Sequence, residues 1–298
     1  MYEKILVPLD GSELAEVALP YAEELAGRLG SEVTLIYVSD SADDQYQYMQ
    51  KMVEATKYGA ERYLEKAEGK SIKVEPVILV GHPAEQIVDY ADKEDIGLIV
   101  MATHGRSGIR RWALGSVADK VVRATKRPVV LIRARGTRPD LREKGILNKV
   151  LVPLDGSKES EAVIPYIEEL ASKLKAEVVL LQVVAGAYHV YASAEGVAQI
   201  RYTEKEMEPL KTSAKDYLKK VASGLKEKGI TTRSEVRVGA AAGEIVKLAD
   251  EIYADVVAMS THGRSGVGRW VFGGVTDRLL RGGNTPVMLV RASGASTE

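Results

Sequence analysis

Short runs of Val, Ile and Leu without polar alternation recur at Ile5–Leu9, Val33–Val38, Val74–Val80, Leu98–Met101 and Val129–Ile132. Strands covered on both faces read this way, whereas half-exposed strands alternate. Between the first two runs, Leu14, Val17, Ala18, Tyr21, Leu25 and Leu29 keep the i, i+3, i+4, i+7 spacing of an amphipathic helix, opened by Ser12 at the N-cap position. Pro20 falls inside this stripe and Pro165 takes the matching place later in the chain. Because the apolar stripe continues past the ring, the pattern predicts one kinked helix. Five such strands alternating with four helices predict an α/β fold, a parallel sheet with helices on both faces.

The pattern occurs twice. Val7-Pro8-Leu9-Asp10-Gly11-Ser12 returns letter for letter as Val152-Pro153-Leu154-Asp155-Gly156-Ser157, and Thr103-His104-Gly105-Arg106-Ser107-Gly108 returns as Thr261-His262-Gly263-Arg264-Ser265-Gly266. The interval between the blocks is longer in the second copy. The extra residues are expected at Ala185–Glu206, where Gly186, Tyr188, His189 and Tyr191 break any clear period. A length of 298 residues suits two domains. The expected boundaries are 1–135 for the first, 136–146 for a linker, 147–293 for the second and 294–298 for a tail.

Composition narrows the function classes. With 41 basic and 42 acidic side chains the net charge is −1, against the basic excess of nucleic-acid and membrane-surface proteins. There is no cysteine, which excludes disulfides, thiolate catalysis and cysteine-bound zinc. No apolar stretch approaches the ~20 residues that span a bilayer, and the first residues lack a signal-peptide layout, so a cytoplasmic protein without membrane partners is expected. Arg133, Arg135, Arg138, Arg142 and Lys144 make the linker locally basic. A solvated linker and a contact for RNA or an acidic partner are the two readings, and the first is preferred.

Both repeated hexapeptides follow strands, and ligands of parallel sheets sit beyond the carboxyl ends of strands where the order reverses. The second block is glycine-rich and runs, after nine residues, from Gly105 to Gly115-Ser116 and into a helix expected at Val117–Thr125. Glycines let backbone N–H groups converge on an anion, and the helix N-terminus adds unpaired donors and the positive dipole end. Arg106, Arg110 and Arg111 add charge near phosphates. Asp10 either orders the turn with Gly11 or accepts from a ribose hydroxyl, as does Asp155 in the second copy; Val38 and Leu9 are placed to flank an adenine ring. None of His82, His104, His189 and His262 has a neighbour at metal-ligand spacing, so no metal is expected on histidine. Trp112 and Trp270, each after an arginine, read as packing groups before base-stacking ones. No P-loop, dinucleotide fingerprint, nucleophile elbow or catalytic base is found.

These motifs resemble those of tandem universal stress proteins over nearly all of both copies. The resemblance implies a Rossmann-like domain of the adenine nucleotide alpha hydrolase type, strand order 3-2-1-4-5, ATP between the first and fourth strands, and pairing through the fifth. ATP-binding members carry Gly-x2-Gly-x9-Gly-(Ser/Thr). Here Ala102 stands at the first glycine, followed by Gly105, Gly115 and Ser116; the second copy has Ser260, Gly263, Gly273 and then Gly274 in place of the hydroxyl residue. The implied nucleotide contacts are Pro8, Leu9, Asp10, Val38, Ala102, His104, Gly105, Arg106, Ser107, Gly108, Gly115, Ser116 and Val117. In the second copy they are Pro153, Leu154, Asp155, Val183, Ser260, His262, Gly263, Arg264, Ser265, Gly266, Gly273, Gly274 and Val275. ATP, with or without Mg2+, is expected in the first copy ahead of the second, acting as a bound regulator with little or no hydrolysis. The alternative is an interaction module of the same fold that has lost the nucleotide in one or both copies. Pairing of the two last strands within one chain is expected, with a homodimer of chains left open.

Overall fold

The computed structural model describes residues 1–39, 46–64, 72–105, 114–133, 147–186, 188–193, 196–261 and 273–292, with backbone alone for 46, 60–64, 188–193 and 196–201. The first half runs β1 (Lys4–Leu9), α1 (Glu13–Glu16), α2 (Leu19–Leu29), β2 (Glu32–Ser39), α3 (Tyr46–Leu64), β3 (Val74–Val80), α4 (Pro83–Lys93), β4 (Leu98–Ala102), α5 (Ser116–Ala124) and β5 (Val129–Ile132). The second runs β6 (Lys149–Pro153), α6 (Lys158–Glu161), α7 (Ile164–Leu174), β7 (Glu177–Val184), β8 (Tyr188–Ser193), β9 (Gly196–Arg201), α8 (Glu204–Glu227), β10 (Thr232–Val238), α9 (Ala241–Glu251), β11 (Val256–Ser260), α10 (Gly274–Gly282) and β12 (Val287–Val290).

Within each half the strands are parallel, in the order β3-β2-β1-β4-β5 and β10-β7-β6-β11-β12. The parallel α/β architecture is the one expected from the alternating apolar runs, and the strand order is the one implied by the family resemblance. The order reverses between β1 and β4 in one half and between β6 and β11 in the other, which opens a crevice at each reversal. β1, β4 and β5 are buried almost throughout, as two-sided strands must be. β3 departs from that expectation: it lies at the sheet edge, and Ile78 and Val80 are exposed.

Two local expectations are corrected. The segment around Pro20 is not a kinked helix but two helices, α1 and α2, with Val17 and Ala18 between them and Pro20 in the first turn of α2. Pro165 sits likewise in the first turn of α7. A proline there forfeits nothing, because first-turn N–H groups have no intrahelical acceptor. The apolar stripe is continuous because both helices cover the same face of the sheet. The extra residues of the second copy do have a period: β8 and β9 form an antiparallel two-stranded sheet of their own. After them Thr203 starts α8 with a capping box, its backbone N–H donating to Glu206 Oε2 at 2.7 Å.

The halves meet edge to edge. β5 and β12 pair antiparallel with Val130 opposite Met288, flanked by the pairs Leu131–Val287 and Val129–Leu289. Val130 and Met288 occupy the same position in the two copies, so a local two-fold axis passes through this pair. Val130, Ile132, Met288 and Val290 enter the core on one face, and Val129, Leu131, Val287 and Leu289 the core on the other. Polar contacts accompany the apolar ones. Buried Tyr2 donates its hydroxyl to the Tyr166 carbonyl at 2.9 Å, and the Arg28 guanidinium donates to the Leu174 carbonyl. Arg133, grouped with the basic linker by sequence, is half-buried and donates to the Leu280 carbonyl of α10, and burial lowers its pKa. Arg135, Arg138, Arg142 and Lys144 lie outside the described residues. No helix among the described residues is long and apolar enough to cross a membrane.

Candidate functional site

Each crevice begins at the turn after the first strand. Gly11 takes the left-handed conformation, φ 82°, which a side chain would disfavour. Asp10 Oδ1 then accepts from both the Ser12 N–H at 3.0 Å and the Ser12 hydroxyl at 2.6 Å. Ser12 in turn caps α1 by accepting from the Ala15 N–H at 3.3 Å. The second copy repeats this with Asp155 and Ser157 at 3.0 and 2.6 Å. The turn-ordering role of both aspartates is therefore present, and both also line their crevices.

The opposite wall is the segment after β4. Thr103 is anchored by its N–H to the Ile132 carbonyl at 2.8 Å, and its own carbonyl accepts from the Gly115 N–H at 2.8 Å. That bond closes the loop at its base and delivers Gly115 as the N-cap of α5, which begins one residue earlier than expected, at Ser116. A β-carbon on Gly115 would stand 2.8 Å from the Thr103 carbonyl oxygen, and one on Gly105 would collide with Asp10 Oδ2. Glycine at 105 thus lets the fourth-strand loop close against the first-strand turn. Gly115 has no side chain to cap α5, so no N-cap side chain accepts from the first N–H groups of that helix. His104 accepts or donates at Nδ1 with the Thr103 hydroxyl at 3.0 Å, while its buried Nε2 meets no hydrogen-bond partner among the described residues.

Together these walls enclose a cavity of about 600 Å³. Of the residues expected at the first site, Pro8, Leu9, Asp10, Val38, Ala102, His104, Gly105, Gly115, Ser116 and Val117 all line it. The matching cavity of the second half, about 240 Å³, is lined by Pro153, Leu154, Asp155, Val183, Ser260, Gly273, Gly274 and Val275. Arg106, Ser107, Gly108, Arg110, Arg111 and Trp112, and His262, Gly263, Arg264, Ser265, Gly266 and Trp270, lie outside the described residues. No group of three or more His, Asp or Glu among the described residues is placed to hold a metal ion.

The sequence model described as the universal stress protein family matches residues 1–133 and 147–291. The chain belongs to this family. It is 33% identical over 141 residues to universal stress protein MJ0531 of Methanocaldococcus jannaschii, covering 45% of this chain and 83% of that one. A universal stress protein of Mycolicibacterium smegmatis aligns over 299 residues at 24% identity, 96% of each chain. Among solved structures, a universal stress protein from Archaeoglobus fulgidus superposes with a TM-score of 0.66 at 20% identity, covering 98% of this chain and 99% of that one. That likeness shows the tandem fold.

Within this universal stress fold, one feature of both sites escaped the sequence reading. The Tyr48 hydroxyl on α3 donates to Glu16 Oε1 at 3.1 Å, and the Tyr217 hydroxyl on α8 donates to Glu161 Oε1 at 2.9 Å. Burial foremost, then the neighbouring carboxylate, holds both phenols well above the ordinary tyrosine range, with Asp10 and Asp155 adding to the effect. Each pair ties a long helix to the short helix beside the first-strand turn. The two tyrosines sit at different distances from the repeated hexapeptides, so no shared motif marks them; only the glutamates keep matching places.

Proposed function

We propose that the chain binds adenine nucleotide in its two crevices, with ATP in the first, and that the nucleotide is a regulator of a stress response or signalling partner and not a fuel. The observation that carries this reading is the 600 Å³ cavity itself, apolar at Leu9 and Val38 and ending at an uncapped helix start behind glycines 105 and 115. Its size falls in the range of about 300–1,000 Å³ usual for small-molecule sites. Adenine lies against Leu9 and Val38, Asp10 faces the ribose, and the phosphates lie over Gly105–Gly108 and Gly115–Ser116, where α5 supplies N–H donors and the positive end of its dipole. Buried His104 Nε2, without a partner among the described residues, is a further group that a polar ligand would satisfy. Any Mg2+ would come in on the phosphates.

The first site is the tighter one for ATP in this reading, because Ser116 adds a hydroxyl donor that Gly274 lacks. Domain boundaries at 1–135 and 147–293, and a chain that is its own dimer through its last strands, complete the proposal. Hydrolysis, if present, runs below the ~1–10³ per second of ordinary enzymes, since the sequence offers no positioned general base. Mass spectrometry of ligand released from the purified full chain, followed by calorimetric titration with ATP, tests the reading. Binding that is lost in Gly115→Val supports it. A folded chain that takes up no adenine nucleotide overturns it in favour of an interaction module.

A further inference from the structure

The two cavities differ by more than a factor of two in volume, although their walls come from corresponding residues. The base-facing walls agree: Leu9, Val38 and Ile87 in the first correspond to Leu154, Val183 and Ile245 in the second. Among the described residues, Tyr37 and Ser39 line the first cavity alone, Ile36 becomes Leu181 and Pro83 becomes Ala241, and three alanines are replaced by hydroxyl residues. Ala15 of the first becomes Ser160, Ala102 becomes Ser260, and Ala118 becomes Thr276. All three hydroxyl residues are buried, Thr276 to 2% exposure.

Thr276 stands in the first turn of α10 and adds bulk at the helix start, where the outer phosphates of a nucleotide would lie, while Ser160 adds a hydroxyl at the Asp155 turn. Neither is free to swing aside. The Ser160 hydroxyl donates to the Ser157 carbonyl at 2.9 Å, and Thr276 Oγ1 rests 3.9 Å from the Met259 sulfur. At the same place Gly274 withholds the donor that Ser116 provides. At the start of α10 a buried threonine thus replaces alanine and a glycine replaces the hydroxyl donor.

Resting on the nucleotide reading of both sites, we infer that the two halves divide the adenine ligands by tail length: the first crevice takes the triphosphate, and the second takes a monophosphate. One chain then holds ATP and AMP at once and reports on their ratio. Equilibrium dialysis of the full chain with labelled ATP and, separately, labelled AMP tests this. The expected result is one ATP but two AMP bound per chain at saturation. Ser160→Ala with Thr276→Ala, which copies the alanines of the first half, should raise bound ATP towards two. The reverse exchange, Ala15→Ser with Ala118→Thr, should weaken ATP relative to AMP at the first crevice by about tenfold or more, as 1.4 kcal/mol of lost contact would. Two ATP per wild-type chain with affinities within tenfold, or a double variant that still binds one ATP, overturns the division of labour and leaves nucleotide binding standing. A folded chain that binds neither nucleotide overturns both.

Discussion

At the first-strand turn the two halves coincide: Asp10 and Asp155 each hold a serine N–H at 3.0 Å and its hydroxyl at 2.6 Å, and Gly11 and Gly156 share φ 82°. At the glycine loop they part. The Gly115 N–H reaches the Thr103 carbonyl at 2.8 Å, whereas Gly273 reaches that of Thr261 at 3.2 Å. A β-carbon would stand 2.8 Å from that carbonyl oxygen in the first loop and 3.6 Å in the second. The turn closes with bonds among residues of one hexapeptide, so identical letters give identical geometry. The loop is seated by residues from other elements, and there Ser116 and Ala118 have become Gly274 and Thr276. A repeated motif fixes shape only as far as its own hydrogen bonds extend.

The largest test concerns what the halves share. A charge placed at the two-fold, as Val130→Asp, should cost ~3–5 kcal/mol in chemical denaturation, since a buried charge there has no partner. Met288→Asp should cost a similar amount, and solution scattering should show both variants extended. If only one of them is costly, the symmetric pairing is wrong.

Next in size is the loop difference. Gly115→Ala forces its β-carbon against a backbone carbonyl and should cost ~1–3 kcal/mol, while Gly273→Ala meets only ordinary contact and should cost less. Equal losses in thermal melts would erase the distinction between the loops.

The tyrosine pairs should behave alike in spite of their different sequence settings. Tyr48→Phe and Tyr217→Phe should each remove ~1–2 kcal/mol near neutrality, a charge-assisted hydrogen bond discounted for partial exposure. Both phenols have pKa values raised above the unfolded value of 10.0, so the folded chain holds their protons longer than the unfolded one. Their stabilisation is present below pH 10 and declines as pH rises past it. Melts across this window should show a shallower alkaline decline in the double phenylalanine variant; an unchanged slope would remove the tyrosines as its cause. The smallest effect belongs to the turns: Ser12→Ala and Ser157→Ala should cost ~0.5–1 kcal/mol each and match one another.

Apolar runs and their spacing carried the strands, because strand burial and helix period are local properties of a chain; the repeated hexapeptides carried the duplication, and the family resemblance implied ten of the described lining residues of the first cavity. The same rules misread Pro20, where a continuous stripe spans two helices, and missed the β8–β9 hairpin. A stripe records which face is buried, not whether the backbone beneath it is unbroken. Tyr48 and Tyr217 were invisible for a different reason: each meets its glutamate from a helix whose distance along the chain differs in the two halves. So the sequence by itself determined two doubly wound halves and the place of their crevices, through motifs that close on themselves. Only the tertiary structure decided how large each crevice is and which helices are latched beside it, because those depend on contacts between residues far apart in the chain, whereas the joining of β5 and β12 into one sheet was already implied by the family resemblance.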